Sequence, residues 1–79
     1  MKLQLEAPQR GTSWPSLIGE IILPGDKNGK PFPIEKERQL RTTLSATIKP
    51  RYPERVYSAN KRVVEGTTVL WIYLEKYIN

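Results

Sequence analysis

The sequence predicts one small, mainly β domain over residues 1–79. We expect a small antiparallel β-sheet or barrel of the OB-fold or SH3-like kind, with four to five strands and at most one short helical segment. The strongest support is the stretch from Thr67 to Ile78, which is rich in β-branched and aromatic residues and apolar on both faces when read with a period of two. Residues 2–6 and Leu40–Ile48 also alternate between apolar and polar side chains, and turn-forming residues separate the predicted strands.

The first third of the chain predicts two strands and a loop. Residues 2–6 alternate apolar and polar side chains, which is typical of a short, half-exposed strand. Residues 7–15 contain prolines, glycine and small polar residues and therefore predict a loop. Residues 16–23 predict the second strand, in which Gly19 indicates a bulge or bend that would help a barrel to close.

The middle of the chain opens with a strong turn signal. Asn28-Gly29 favours a type I′ hairpin, because both central residues of that turn need a positive φ. The prolines on either side of Phe32 then predict an edge strand or an extended arm. Residues 34–40 have the composition of a short helical segment.

The window Leu40–Ile48 has two interpretations. Its residues alternate strictly between apolar and polar, and its threonines favour a strand, which is our prediction. The same window also fits a helix, because three of its apolar residues recur every four positions.

The last third predicts a long hairpin. Arg55 to Val64 forms its first strand, and Gly66 supplies a positive φ at the turn. In the strand that follows, leucine and isoleucine occupy one face, and Val69, Trp71 and Tyr73 occupy the other. A strand that is apolar on both faces is usually covered on both sides, so we expect this one to be central.

Several classes of function are disfavoured by composition. The chain has no cysteine and no histidine, which excludes disulfides, Cys/His zinc sites and mechanisms with a histidine base or cysteine nucleophile. The eight carboxylates mostly neighbour a basic residue, and the scattered glycines form no phosphate-binding loop. We therefore expect neither enzymatic activity nor a cofactor or metal. No apolar run is long enough to cross a membrane and no signal peptide is evident, so we expect a cytoplasmic protein.

The distribution of charge is the main indication of function. The chain carries a net charge of +5, yet residues 27–62 alone contain ten basic and three acidic residues. The two flanks together are slightly acidic. A localised positive field of this kind attracts polyanions such as nucleic acid, or an acidic protein surface.

Basic residues in this region alternate with aromatic residues, and we therefore expect a nucleic-acid-binding protein that prefers single strands. Such proteins use cations to contact phosphates and aromatic rings to stack on bases. The predicted contact residues are Lys30, Phe32, Arg41, Lys49, Arg51, Tyr52, Arg55, Tyr57, Lys61 and Arg62. The alternative for Tyr52 and Tyr57 is that they are packing residues that the arginines cover.

The C-terminal strand supports a different function. In a regular strand, Val69, Trp71, Tyr73 and Tyr77 share one face, and an exposed aromatic stripe marks a protein interface. The chain would then be a small interaction module or inhibitor, of the type that phages and plasmids encode, docking on a larger partner. Burial of this face within the monomer is the other interpretation. A homodimer is a further alternative, because small domains without disulfides often gain stability by association.

Overall fold

The computed structural model describes residues 4–78, and this part of the chain is an α+β fold. The prediction of a four- to five-stranded sheet or barrel is wrong. The described residues form a three-stranded antiparallel sheet with the strand order β1-β3-β2, and helical segments pack on one of its faces. The elements in chain order are α1 (Trp14–Gly19), a 3-10 turn (Asp26–Asn28), β1 (Lys30–Pro33), a second 3-10 turn (Ile34–Lys36), α2 (Glu37–Thr43), a π-helical turn (Leu44–Ile48), α3 (Lys49–Arg51), β2 (Arg55–Val64) and β3 (Thr67–Tyr77).

Residues 34–51 form one nearly continuous helical segment, called here the long helix, where the sequence predicts a strand over Leu40–Ile48. The helical alternative is the one the fold adopts, because its four-residue spacing buries Leu40 and Ile48 against the sheet. Two of the four hydroxyl side chains in this window, whose composition favours a strand, form hydrogen bonds with the backbone of the preceding helical turn. Thr43 Oγ1 donates to the Gln39 carbonyl at 2.8 Å and Ser45 Oγ to the Thr42 carbonyl at 3.1 Å.

The strand predicted over residues 16–23 is also wrong, because residues 14–19 form α1. Pro15 occupies the first turn of that helix, a position where its missing N–H costs nothing. Gly19 is needed for a close contact and not for a bulge. A Cβ atom at this position would lie 2.7 Å from the hydroxyl oxygen of Tyr52.

The turn predicted at Asn28-Gly29 does not form a hairpin. Asn28 ends a 3-10 turn, and Gly29 has an extended backbone with φ of −77°. A glycine is needed at position 29 because the backbone there lies close to the side chain of Trp71. A Cβ atom at this position would lie 2.5 Å from Nε1 of Trp71. The predicted edge strand around Phe32 is confirmed, because β1 pairs with β3 at one edge of the sheet. The first predicted strand lies partly outside the described residues, and residues 4–6 are not a strand.

The C-terminal hairpin is confirmed. β2 and β3 pair over most of their length, β3 is the central strand, and the turn residues Glu65 and Gly66 both have a positive φ. The apolar side chains of β3 point in two directions, as the period of two predicts. Those that face the long helix join the core, which consists of Leu17, Ile18, Ile21, Phe32, Leu40, Ile48, Leu70, Ile72 and Leu74.

A bulge changes the face on which β3 ends. Tyr57 pairs with Leu74 but Val56 pairs with Lys76, so Glu75 is the extra residue. Tyr77 is therefore shifted to the face of the long helix, where its hydroxyl group donates to the Ile22 carbonyl. The prediction that Tyr77 shares a face with Trp71 and Tyr73 fails for this reason.

Candidate binding groove

A groove of about 490 Å³ runs between the long helix and β2. It has an apolar floor and positively charged groups along its sides. The residues that line it are Arg41, Leu44, Ser45, Ile48 and Lys49 from the helical side, Arg55, Val56, Tyr57 and Ala59 from β2, and Pro53 and Ile78 at one end. Four of the residues that the sequence predicts as nucleic-acid contacts thus lie along one feature of the surface.

The helical wall of the groove contains the π-helical turn Leu44–Ile48. The Lys49 N–H bonds to the Leu44 carbonyl five residues earlier, one residue beyond the normal helical spacing. Such turns are rare and occur frequently at functional sites. This turn supplies Leu44, Ser45 and Ile48 to the groove, so the irregularity in the helix coincides with the candidate site.

Ionic contacts beside the groove connect Arg41, which lines it, with β2. Arg41 Nε bonds to Glu37 Oε2 at 2.9 Å, and Lys61 Nζ lies 3.8 Å from Glu37 Oε1. The carboxylate of Glu37 thereby connects α2 with β2 and neutralises part of the positive charge there. Sequence reasoning did not assign Glu37 to the site, although its spacing of four residues from Arg41 on a helix is the signal that indicates such a pair.

A second network holds the segment after α1 against the sheet. Three backbone carbonyls within residues 19–22 accept bonds from side chains of the hairpin. Gly19 O accepts from Arg55 Nη1 at 3.0 Å, Ile21 O from the Tyr57 hydroxyl at 2.8 Å, and Ile22 O from the Tyr77 hydroxyl at 2.5 Å.

Arg55 and Tyr57 also interact with each other. Arg55 Nη1 donates to the Tyr57 hydroxyl at 2.9 Å, and its guanidinium carbon lies 4.1 Å above the ring of Tyr52. Burial raises the pKa of Tyr57, although the bond from Arg55 opposes this shift. Arg55, Tyr52 and Tyr57 therefore serve first as anchors of the fold, and two of them, Arg55 and Tyr57, also line the groove.

The remaining predicted contacts do not join the groove. Phe32 is 0% exposed and cannot stack on a base in this conformation. Lys30 lies on β1 at the other side of the sheet, within 3.9 Å of Glu6 and 3.5 Å of Glu20. Arg51 is exposed on α3 outside the groove lining. Arg62 points to the opposite face from Lys61, because successive residues of a strand alternate.

The sheet face opposite the long helix carries the predicted aromatic stripe without Tyr77. Val69 is buried, and Trp71 and Tyr73 are half-buried. The guanidinium carbon of Arg62 lies 4.7 Å from the centre of a Trp71 ring.

Asp26 connects the first 3-10 turn, Asp26–Asn28, to the sheet face opposite the long helix. Its carboxylate accepts a 2.6 Å bond from Arg62 Nη2, and its carbonyl accepts a 2.9 Å bond from Trp71 Nε1. The bond from Arg62 lowers the pKa of the exposed Asp26 carboxyl group. The stripe is therefore held by contacts within the chain.

Comparison with protein-family models, with curated proteins and with solved structures yields no match. Among residues 4–78, acidic side chains form no cluster that could hold a metal ion. No helix in the same range is long and apolar enough to cross a membrane. A function for this chain therefore rests on its own geometry.

Proposed function

We propose that this chain is a non-enzymatic, cytoplasmic nucleic-acid-binding protein that holds a single strand along the groove between the long helix and β2. The observation that carries the proposal is the convergence of Arg41, Lys49 and Arg55 on one groove. Lys61 lies nearby, because it contacts the same Glu37 carboxylate as Arg41. Cations along a groove follow a phosphate backbone, and their contacts release counterions. The lysine and arginine excess of residues 27–62 strengthens the attraction.

The apolar floor favours a single strand over a duplex. Bases that are not paired can turn towards Leu44, Ile48 and Ala59 while the phosphates remain at the charged sides. Because Phe32 is buried and the rings of Tyr52 and Tyr57 are largely used in packing, stacking contributes less than the sequence suggests. We therefore expect binding that depends strongly on salt and weakly on base sequence.

Fluorescence anisotropy with labelled single- and double-stranded oligonucleotides tests the proposal. The double variant Arg41→Ala/Lys49→Ala removes two cations from the groove. We expect it to weaken single-strand binding about ten-fold and to reduce the slope of log K against log salt by about 1 to 2. The control Lys27→Ala/Lys76→Ala removes the same charge outside the groove lining and should retain most of the affinity. Equal losses in both variants would contradict a specific site, and a dissociation constant above millimolar at 50 mM salt would contradict the function.

The second candidate is the protein-interaction module. The observation that favours it is the half-buried pair Trp71 and Tyr73 on the sheet face away from the long helix. An acidic protein surface would also be attracted by the positive field. Under this function, Tyr73→Ala abolishes capture of the partner, whereas Arg41→Ala/Lys49→Ala slows association with little effect on dissociation.

A further inference from the structure

β2 is a free edge of the sheet. The strand spans ten residues, Arg55–Val64, and pairs along one side with β3. No strand within residues 4–78 pairs with its other side. An unpaired strand of this length offers a row of N–H and C=O groups to another strand. Val63, near its end, is 68% exposed although it is strongly apolar.

We propose that β2 pairs antiparallel with β2 of a second copy of the chain, in a register centred on Asn60. The two three-stranded sheets then become one sheet of six strands, related by a two-fold axis perpendicular to it. In this symmetry, residues that face each other across the contact must lie on the same face of the sheet. Because side chains alternate between the two faces along a strand, the sequence numbers of two facing residues differ by an even number. The contact must therefore be centred on a residue of β2, which leaves few registers to consider.

The register centred on Asn60 is the one that the side chains favour. Its facing pairs within the strand are Val56 with Val64, Tyr57 with Val63, Ser58 with Arg62, and Ala59 with Lys61, each pair formed across the two copies. Glu65, the turn residue that follows β2, would then lie next to Arg55 of the second copy. Every cation thus faces a neutral or an acidic residue. The exposed Val63 faces the aromatic residue Tyr57, a favourable cross-strand combination.

The neighbouring registers are less favourable. Centring the contact on Lys61 places two lysines directly opposite each other, which is destabilising. Centring it on Ala59 places Arg62 opposite Val56 and loses the pair between Arg55 and Glu65.

The charges that remain near the axis are partly neutralised within each copy. In the proposed register the two Lys61 side chains are diagonal neighbours, and each lies 3.8 Å from a carboxylate oxygen of Glu37 in its own chain. Arg55 uses Nη1 for its internal bonds, so its other N–H groups can reach Glu65 of the second copy.

The dimer would change the shape of the groove. Both long helices would lie on the same face of the joined sheet, on either side of the two β2 strands. The grooves of the two copies would then open towards each other and form one cleft, with Arg41 and Lys49 of each copy along its sides. This inference does not depend on what the cleft binds.

Site-directed crosslinking tests both the contact and its register. Because the chain has no cysteine, Asn60→Cys introduces a single thiol. Facing Cα atoms in antiparallel strands lie about 4.5–5.5 Å apart, within the range of about 4.4–6.8 Å that a disulfide allows. We expect Asn60→Cys to form a covalent dimer under mild oxidation, whereas Thr42→Cys, exposed on the long helix, stays monomeric. Circular dichroism of both variants verifies the fold.

Sedimentation equilibrium provides the test on the unmodified chain. We expect a dimer that dissociates on dilution, and Glu65→Lys should raise its dissociation constant about ten-fold by placing like charges opposite each other at both ends of the contact. A chain that is monomeric at all concentrations overturns the inference, as does equal crosslinking of the two cysteine variants. A monomer that still binds single-stranded oligonucleotides overturns the dimer and leaves the proposed function standing.

Discussion

The hydroxyl group of Tyr57 offers the most direct test of how this fold is held together. It donates to the Ile21 carbonyl at 2.8 Å and accepts a bond from Arg55 Nη1 at 2.9 Å. The substitution Tyr57→Phe removes this one oxygen and keeps the ring, which packs against the core. Water cannot readily replace the lost donor, because Ile21 is 1% exposed.

The expected loss follows from these two bonds. A hydrogen bond contributes about 1 kcal/mol net, and a buried carbonyl left without a donor costs about 1–3 kcal/mol. We expect Tyr57→Phe to lower the free energy of unfolding by about 2 kcal/mol. For a domain of this size, the loss corresponds to a decrease of about 8–16 °C in Tm. The midpoint of urea unfolding should fall by about 1–2 M.

Urea denaturation followed by tryptophan fluorescence measures this change. Tyr73→Phe is the matched control, because it removes the same oxygen on the opposite face of the sheet, away from residues 19–22. The control should change the free energy of unfolding by less than about 0.5 kcal/mol. If the two variants lose equal stability, the Tyr57 hydroxyl group does not anchor the segment after α1.

Three further predictions concern pH, packing and charge. Burial raises the pKa of Tyr57 above 10.0 in the folded state. The stabilisation from the protonated hydroxyl group is therefore present below pH 10 and is lost as pH rises through the higher folded pKa. In urea titrations above about pH 10, the free energy of unfolding should fall more steeply in the unmodified chain than in Tyr57→Phe. Gly29→Ala should lower the free energy of unfolding by about 1–3 kcal/mol in the same assay, because the new Cβ meets Trp71 Nε1 at 2.5 Å and the Ile72 carbonyl at 2.7 Å; unchanged stability would mean that β3 moves away at little cost. Glu37→Gln should strengthen single-strand binding about three-fold at low salt, since it frees Arg41 and Lys61 from a carboxylate, and weaker binding in the anisotropy assay would contradict their role.

The elements that the sequence predicts correctly are those that local pattern determines. β2 and β3 are neighbours in the chain, and the turn between them is specified by Glu65 and Gly66. The window Leu40–Ile48 is different, because its apolar residues satisfy a period of two and a spacing of four equally well. What selects the helix is the apolar face of β3, which lies more than twenty residues later in the chain. Helix and strand propensities depend on neighbouring residues, so they cannot predict a contact between residues so far apart in the chain.

The same limit applies to the site. The positive region is visible in the sequence, because charge is a property of composition. Which cations act together depends on the fold. Lys61 and Arg62 are adjacent in the chain, yet one contacts Glu37 beside the groove and the other contacts Asp26 on the opposite face of the sheet. Arg41 and Lys49 are eight positions apart and line one groove, because both project from the long helix.

The double role of Arg55 decides which variants can test the function. Its guanidinium lines the groove, but it also holds the Gly19 carbonyl, the Tyr57 hydroxyl and the ring of Tyr52. Removal of Arg55 would therefore reduce binding through loss of structure even if no ligand ever contacts it. Lys49 is exposed, and the ion pair of Arg41 to Glu37 is a surface pair worth at most about 1 kcal/mol. A loss of affinity in Arg41→Ala/Lys49→Ala with unchanged urea unfolding would consequently report on ligand contact, which no variant of Arg55 can do.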